Sequence, residues 1–319
     1  MKLSILDQSP IVNGVTALDA LESTVTLAQV AEKLGYTRYW VAEHHGMDKL
    51  ASSVPEVLLT YLGMKTSKIR IGSGATLLPH YKPYKVAEIF NMLGTLFPDR
   101  IDLGIGRAPG GSAEASIALS GNFLANVKQT PELIEELLHF IYDDFPSDHM
   151  FANTKALPQP KTPPIPWILG TSPKSGELAA NTSTGYCFGR FMSEHSGENI
   201  IENYKQHFIP NEYMHKPYAI VTISVICADT EEIAQRLVTE YLITRINPKK
   251  DKKQNLSSDE LTMFNQYKNN MLYGTAMSVS EQIKDIFNSS PLDEIMIVTI
   301  TNDYDSRQYS YELLAKSLL

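Results

Sequence analysis

The sequence predicts a (β/α)₈ barrel, formed by a single domain that spans residues 1–319. Short apolar segments of strand length alternate with longer segments of helical period, and the alternation continues along the whole chain. Such alternation is typical of parallel strands joined by helical crossovers, and eight units favour closure into a barrel of about 250 residues plus insertions. An open, doubly wound sheet is the alternative.

Eight segments combine β-branched or aromatic residues with flanking turn residues, and each predicts a strand. In chain order they are residues 3–6, 38–42, 69–76, 100–106, 166–171, 185–189, 218–228 and 294–300. Between them, apolar residues recur at spacings of three and four, which predicts helices. These are residues 17–35, 55–66, 83–97, 130–142, 173–182, a helix from about residue 230, 280–288 and 306–318.

Individual residues support several of these helices. Leu18 and Val25 lie on the predicted inner face of the first helix, and Gly35 provides its stop. Pro55 and Pro131 stand in the first turns of the second and fourth helices, where a missing N–H breaks no hydrogen bond.

Two segments depart from the alternation. Residues 146–166, after the fourth strand, are rich in proline, and residues 247–270, after the seventh strand, are polar and lack a clear apolar period. We interpret both as insertions into the barrel, and we expect residues 247–270 to be mobile.

The composition excludes several classes of protein. With 36 acidic and 28 basic side chains the net charge is −8, which does not suit nucleic acid, and we interpret the lysines at 249–253 as a solvated loop. The two cysteines, Cys187 and Cys227, fit a reducing compartment. The first residues lack the apolar core of a signal peptide, and no apolar run approaches the ~18 residues of a membrane span. We therefore expect a cytoplasmic protein without a membrane segment.

Polar or glycine-rich clusters follow most of the predicted strands. In a parallel barrel the carboxyl-terminal ends of the strands build the active site. The clusters are "LDQSP", "EHH", "GATLLPH", "GIGRAPGG" and "LGTSPKS", which follow strands one to five. The pattern predicts an active site at this end of the barrel.

The "EHH" segment, Glu43 to His45, follows the second strand. A zinc protease helix would read H-E-x-x-H, and two adjacent histidines in an extended segment point to opposite sides. We therefore predict no metal site. The favoured interpretation is one histidine that lines a pocket as an acid, a base or a hydrogen-bond donor. A polar loop without chemistry is the alternative.

The segment "GIGRAPGG" at 104–111 differs from a dinucleotide fingerprint, because Pro109 occupies the sixth place and the next predicted helix starts some twenty residues later. Its glycines allow close backbone approach, and Arg107 suits a phosphate or a carboxylate. An exposed loop arginine without a ligand is the alternative.

The segment "LGTSPKSGELAA" at 169–180 places Thr171, Ser172 and Ser175 at the start of a helix. Hydroxyl and backbone N–H groups at a helix start can bind an anion. Alternatively, Thr171 or Ser172 is simply the N-cap.

Taken together, five segments resemble the bacterial luciferase-like flavin monooxygenases. They are "LSILDQSPI", "AEKLGYTRYWVAEHHGM", the run from "SSVPEVLL" to "GIGRAPGG", "PWILGTSPKSGELAA" and "YGTAMSVSEQIKDIF". The resemblance extends from Lys2 to about Ile300 and is most specific over the first 110 residues or so.

The resemblance implies a (β/α)₈ barrel, FMN as the cofactor and usually a dimer. It also implies a reaction in which reduced FMN and O₂ oxygenate a small organic substrate. His44 matches the family's histidine after strand two. The positions that match flavin-binding residues are Arg107, Gly170, Thr171, Ser172 and Ser175, and the family often has a cis peptide beside the flavin at Gly74–Ala75.

Two positions depart from true luciferases, and both argue against light emission. Thr171 stands where luciferases have a glutamate, and Gly106 stands where they have a reactive cysteine.

The chain shows no strand–helix unit with G-x-G-x-x-G, and a barrel leaves too little length for a second cofactor domain. We therefore expect a separate NAD(P)H:flavin reductase to supply reduced FMN. Two other functions remain open: a deazaflavin-dependent oxidoreductase that transfers hydride, and a flavin-binding protein without catalysis.

Overall fold

Eight parallel strands close into a barrel in the computed structural model, which describes residues 1–12, 14–250 and 253–319. The strands are β1 (Lys2–Asp7), β2 (Arg38–Val41), β3 (Arg70–Ser73), β4 (Ile101–Gly106), β5 (Ile165–Gly170), β6 (Gly185–Gly189), β7 (Ala219–Ala228) and β8 (Glu294–Val298). Strand β8 pairs with both β1 and β7, with Glu294 opposite Lys2 and Ile220, so the barrel is closed. All eight predicted strands are confirmed, and the open-sheet alternative is wrong.

Helices surround the barrel and supply the crossovers. They are α1 (Ala17–Leu34), α2 (Pro55–Lys65), α3 (Pro83–Leu96), α4 (Ala113–Ser120), α5 (Phe123–Lys128), α6 (Thr130–Tyr142), α7 (Pro173–Asn181), α8 (Glu198–His207), α9 (Glu231–Ile246), α10 (Ser258–Asn269), α11 (Ala276–Ser289) and α12 (Tyr304–Leu318). Among the described residues, none of these helices has both the length and the apolar composition needed to cross a membrane.

The predicted helices all form, but the inner face of α1 is partly misplaced. Val25 is buried as predicted, whereas Leu18 is 64% exposed because it lies in the first turn, at the rim of the packed face.

Sequence reasoning missed four helices, α4, α5, α8 and α10. The expectation of a long gap after "GIGRAPGG" is wrong, because α4 begins at Ala113, where the Ser112 hydroxyl accepts a hydrogen bond from the Ala115 N–H (3.2 Å). Helices α4 and α5 bury little, Ser116 alone in α4, so they carry almost no apolar periodicity. The available signal for α4 was its N-cap serine, Ser112, whereas α5 has no capping side chain.

The predicted insertion at 247–270 contains α10, which begins with reciprocal hydrogen bonds between Ser257 and Glu260 and buries Phe264. An additional strand, Met271–Thr275, follows it and pairs with residues 224–228 of β7. The mobility of the insertion stays a prediction, and positions 251 and 252 of the predicted lysine loop lie outside the described residues.

A buried ionic network closes the amino-terminal end of the barrel. The Arg38 guanidinium donates to both oxygens of Glu294 (2.8 and 3.0 Å) and to Asp102 (2.7 Å). Arg70 and Trp40 also donate to Asp102, at 2.7 and 3.0 Å. Burial alone would raise the pKa of the Asp102 carboxyl, but the guanidinium groups of Arg38 and Arg70 bring it below its usual value.

An apolar layer covers this network inside the barrel. Trp40 and Trp167 meet edge to face with ring centroids 5.4 Å apart, and the Arg38 guanidinium lies 4.6 Å from the Trp167 ring. Leu6, Ile220 and Met296 complete the layer. The barrel interior is therefore filled from its amino-terminal end, and open space remains only beyond this layer, at the carboxyl ends of the strands.

We expect Arg38→Met to lower the free energy of unfolding by about 3–5 kcal/mol, because it leaves Asp102 and Glu294 buried without their shared cation. Arg236→Met is the matched control, since Arg236 is exposed and its nitrogen lies 3.9 Å from Glu240. The control should change stability by less than about 1 kcal/mol. Urea denaturation measures the free energy of unfolding of both variants. An equal loss of stability in the two variants would contradict the role of the network.

Candidate active site

A cavity of about 450 Å³ opens at the carboxyl ends of the strands. This volume suits a cofactor or drug-sized ligand. All eight predicted site residues line it: His44, Gly74, Ala75, Arg107, Gly170, Thr171, Ser172 and Ser175. Residues from the ends of four successive strands, β2 to β5, therefore meet around one space.

His44 is half-buried at the cavity wall. Its backbone N–H donates to the Ser52 carbonyl (2.9 Å), which fixes the chain where β2 ends. The buried Nδ1 atom of its imidazole has no hydrogen-bond partner in the described part of the chain. Burial, aided by the nearby His45, lowers the His44 pKa below the ordinary value of 6.5, so the imidazole is neutral at pH 7.

Glu43 binds His45 and leaves His44 free. Its buried carboxylate accepts from His45 Nε2 (2.7 Å), the Tyr81 hydroxyl (2.7 Å) and the Leu77 N–H (3.0 Å). The three contacts join β2 to the segment after β3. Within the described residues, no cluster of three or more His, Cys, Asp or Glu side chains could hold a metal ion.

The segment after β3 approaches the cavity through its backbone. The peptide between Gly74 and Ala75 is cis, as the resemblance implied. A Cβ atom on Gly74 would lie 2.5 Å from the end of the Leu6 side chain and 3.1 Å from Trp40 Cβ, so any larger residue would require the Leu6 side chain to move. The backbone itself forms this part of the wall.

The opposite part of the cavity offers groups for an anion. Arg107 is exposed and has no hydrogen-bond or ionic partner among the residues that the structure describes. The Thr171 hydroxyl is likewise unpartnered there. These two groups lie at the ends of β4 and β5, which are neighbours in the barrel.

Ser172 and Ser175 are engaged within the protein. Ser172 is the N-cap of α7, as the alternative interpretation proposed, and its N–H donates to the Ser175 hydroxyl (3.3 Å). That hydroxyl donates to the Ser172 carbonyl (2.6 Å) and is also 3.0 Å from the Tyr186 hydroxyl. Ser175 therefore shapes the helix start more than it offers a free group.

Sequence reasoning missed several residues that line the cavity. Gln8 lay within the noted cluster "LDQSP", and its alternation with Leu6 was the available signal. Phe191 and Met192, in the loop after β6, had no such signal. The Cys187 thiol is 3.2 Å from the Thr222 hydroxyl on the cavity floor, and burial raises its pKa to about 12, so it stays protonated.

These residues fit a phosphorylated, largely apolar cofactor. Arg107 and Thr171 can bind its anionic group, the Gly74–Ala75 backbone allows a flat ring to approach, and Leu6, Leu169 and Phe191 supply apolar contacts. A closed parallel barrel with such a cavity at the carboxyl ends of its strands is an enzyme of the TIM-barrel class.

The chain matches the family model "Luciferase-like monooxygenase" over residues 1–293 and therefore belongs to this family of monooxygenases. It is 41% identical to the Bacillus subtilis protein YwcH, with 99% of each chain covered. It is 36% identical to the N-acetyl-S-alkylcysteine monooxygenase of the same organism, with 100% of this chain and 98% of that protein covered.

Solved structures show the same fold. Apo-MsnO8 superposes with a TM-score of 0.88 at 30% identity and covers 99% of this chain and 98% of its own. Two more distant structures are below 25% identity and show the fold alone. One is the oxygenating constituent of 3,6-diketocamphane monooxygenase from Pseudomonas putida in complex with FMN, with a TM-score of 0.74 at 22% identity, covering 100% of this chain and 97% of its own. The other is an F420-dependent secondary alcohol dehydrogenase, with a TM-score of 0.71 at 15% identity, covering 98% of each chain.

We expect the His44 imidazole to titrate with a midpoint below 6.5 in the protein without ligand, because burial disfavours the cation. The unfolded chain then binds this proton more readily than the folded chain. His44 therefore contributes stability that is present above pH 6.5 and is lost as the pH falls through the lowered folded pKa. NMR of labelled histidine measures the midpoint, and His44→Gln identifies the signal. A midpoint at or above 6.5 would contradict the expectation.

Proposed function

We propose that the enzyme is an FMN-dependent monooxygenase that uses reduced FMN and O₂ to oxygenate a small organic substrate. The observation that carries the proposal is the pairing, in one cavity, of free anion-binding groups, Arg107 and Thr171, with the neutral imidazole of His44. The first two suit the phosphate of FMN, and the imidazole suits proton transfer beside the flavin ring.

Residues at three strand ends would hold FMN. Arg107 and the Thr171 hydroxyl would bind the phosphate, and Gly170, Ser172 and Ser175 would shape the site at the start of α7, whose positive dipole end favours an anion. Gly74 and Ala75 would line the flavin ring. Bound reduced FMN supplies the electrons that activate O₂.

His44 would act through its imidazole, which lies at the cavity wall and makes no hydrogen bond within the described chain. A neutral imidazole can accept a proton at one nitrogen or donate one from the other, so it can serve as an acid–base group or a hydrogen-bond donor toward oxygen. The Cys187 thiol stays protonated and does not compete as a nucleophile.

Two features bear on the substrate. Glu43 is the one carboxylate lining the cavity within the described residues, and all its oxygens are occupied by hydrogen bonds, so the cavity favours neutral or anionic molecules over cations. Similarity to an N-acetyl-S-alkylcysteine monooxygenase makes N-acylated thioethers the first substrates to test.

The enzyme would form a homodimer through the exposed apolar faces of α2 and α3. Val57, Tyr61 and Met64 recur at helical spacing on α2, with exposures of 67, 41 and 74%, and Met92 and Leu96 continue the surface on α3. Sedimentation should show a dimer that Met64→Glu weakens. Met277→Glu, at an exposed methionine on α11, is the control, and a monomeric native protein would sink the proposal.

A separate reductase would supply reduced FMN. The P. putida neighbour is itself described as an oxygenating constituent, which implies a division of labour in that enzyme. The test mixes the purified protein with FMN and NADH, and negligible NADH oxidation is expected until a flavin reductase is added. Rapid NADH oxidation by the protein alone would overturn this part of the proposal.

The deazaflavin alternative predicts tight F420 binding and hydride transfer that does not consume O₂. The non-catalytic alternative predicts FMN binding without any product. Comparing O₂ consumption with reduced FMN and with reduced F420 separates all three functions.

We expect Arg107→Ala to weaken FMN binding by about 1.5–3 kcal/mol, the magnitude of a hydrogen bond to a charged group. Riboflavin has no phosphate, so its affinity should change far less. Fluorescence titration measures both ligands, and Arg236→Ala is the control at an exposed arginine on α9. Equal losses for FMN and riboflavin would contradict the phosphate site.

We expect His44→Ala to reduce oxygenation by about 10²–10⁴-fold while FMN affinity changes little, because acid–base groups contribute on this scale. The measurement is incorporation of ¹⁸O₂ into an N-acetyl-S-alkylcysteine with reductase-supplied FMN. His215→Ala, at an exposed histidine away from the cavity, is the control. Full ¹⁸O incorporation by the His44 variant would remove His44 from the mechanism.

A further inference from the structure

Residues 107–111, which we call the phosphate loop, are held by two histidines. The His45 N–H donates to the Gly110 carbonyl (2.8 Å). Gly111 packs so closely on the His45 backbone that a Cβ atom there would lie 2.2 Å from the His45 carbonyl oxygen. This side of the loop is thus fixed by main-chain contacts, which a side-chain substitution does not remove.

The other side of the loop is held by the ring of His80. Its Nε2 atom lies 2.9 Å from the carbonyl oxygen of Pro109. A carbonyl only accepts, so Nε2 carries the hydrogen and donates. His80 is 6% exposed, and its Nδ1 atom is buried without a partner in the described part of the chain. Among the described residues, the hydrogen bond to Pro109 is therefore the one hydrogen bond that the His80 ring makes.

Packing fixes the orientation of the His80 ring. It stacks on Phe123 at the start of α5, with centroids 4.7 Å apart and an interplanar angle of 26°. The His45 ring meets its edge at 5.8 Å. His45 is in turn held by Glu43, so the carboxylate that joins β2 to the segment after β3 also supports the ring that faces the loop.

We propose that His80 is a positioning residue for the FMN phosphate: its hydrogen bond to Pro109 holds the phosphate loop so that Arg107 faces the cavity before FMN binds. This inference rests on the proposed FMN site. Arg107 is exposed and has no protein partner among the described residues, so nothing but its backbone places it. Pro109 restricts the backbone of Ala108 to extended conformations. A hydrogen bond to the Pro109 carbonyl therefore also reduces the conformational freedom of the backbone between Pro109 and the end of β4. A loop ordered in advance loses less conformational freedom on binding an anion.

Two substitutions separate the hydrogen bond from the packing. His80→Phe keeps a ring against Phe123 and removes the donor, whereas His80→Gln keeps a donor and removes the ring. His149→Phe is the matched control, because His149 also stacks on a phenylalanine, Phe145 (4.6 Å), but its hydrogen bond is to the Phe151 N–H and not to the phosphate loop.

The measured quantity is the ratio of the dissociation constants for riboflavin and FMN, from fluorescence titration of each protein. His80→Phe should lower this ratio about 3- to 10-fold, the equivalent of one hydrogen bond, through weaker FMN binding alone. His80→Gln should restore most of the ratio, and His149→Phe should leave it unchanged. Amide hydrogen exchange in residues 107–111 of the protein without ligand should be faster in His80→Phe.

An unchanged ratio in His80→Phe would overturn the inference, as would an equal loss of affinity for FMN and riboflavin, which a general structural role predicts. Arg107→Ala is measured alongside. If Arg107→Ala lowers the ratio and His80→Phe does not, the positioning role fails while the phosphate site stands. If Arg107→Ala also leaves the ratio unchanged, the phosphate site itself fails, and the inference falls with it.

Discussion

The buried ionic network at the amino-terminal end of the barrel is the constraint on which the rest of the structure depends. Arg38 and Glu294 come from strands on either side of β1, and Asp102 comes from β4, so one guanidinium links the strands across the barrel interior. Ions are tolerated in such a place only when every one of them is paired. The pairing, with the tryptophan layer above it, fills one end of the barrel. The cavity can then exist only at the other end, where helix starts and loop backbones offer N–H groups.

Glu43 has a similar organising role at the cavity. One carboxylate accepts three hydrogen bonds, and these fix the His45 ring, the Tyr81 side chain and the backbone after the Gly74–Ala75 peptide. Because Glu43 binds His45 and not His44, the two adjacent histidines have different surroundings. His45 belongs to the scaffold that supports the phosphate loop, whereas the His44 ring lines the cavity and makes no hydrogen bond within the described chain.

Most elements that contact the barrel through a regular apolar face were predictable, and most of the missed helices lack such a face; α8, which buries Ile201 and Tyr204, is the exception. The eight strands and the helices packed against them, such as α3 and α6, bury a continuous stripe. Helix α10 buries Phe264, and the helices between β4 and α6 bury little more. Helices α4 and α10 begin at serine N-caps, and a capping hydroxyl leaves no apolar period in the sequence.

The sequence by itself determined the class of fold and the set of strand ends that meet, because strand alternation in a parallel barrel brings every carboxyl end to one face. It therefore predicted which residues line the cavity, including His44, Arg107 and Thr171. Only the tertiary structure decided what each polar group is free to do. Glu43 accepts hydrogen bonds from Leu77 and Tyr81, the Ser175 hydroxyl lies against that of Tyr186, and His80 donates to the Pro109 carbonyl. These partners lie on other elements of the chain. Hydrogen-bond partners across a barrel depend on distances of a few tenths of an ångström between segments far apart in the chain, and no local pattern encodes them.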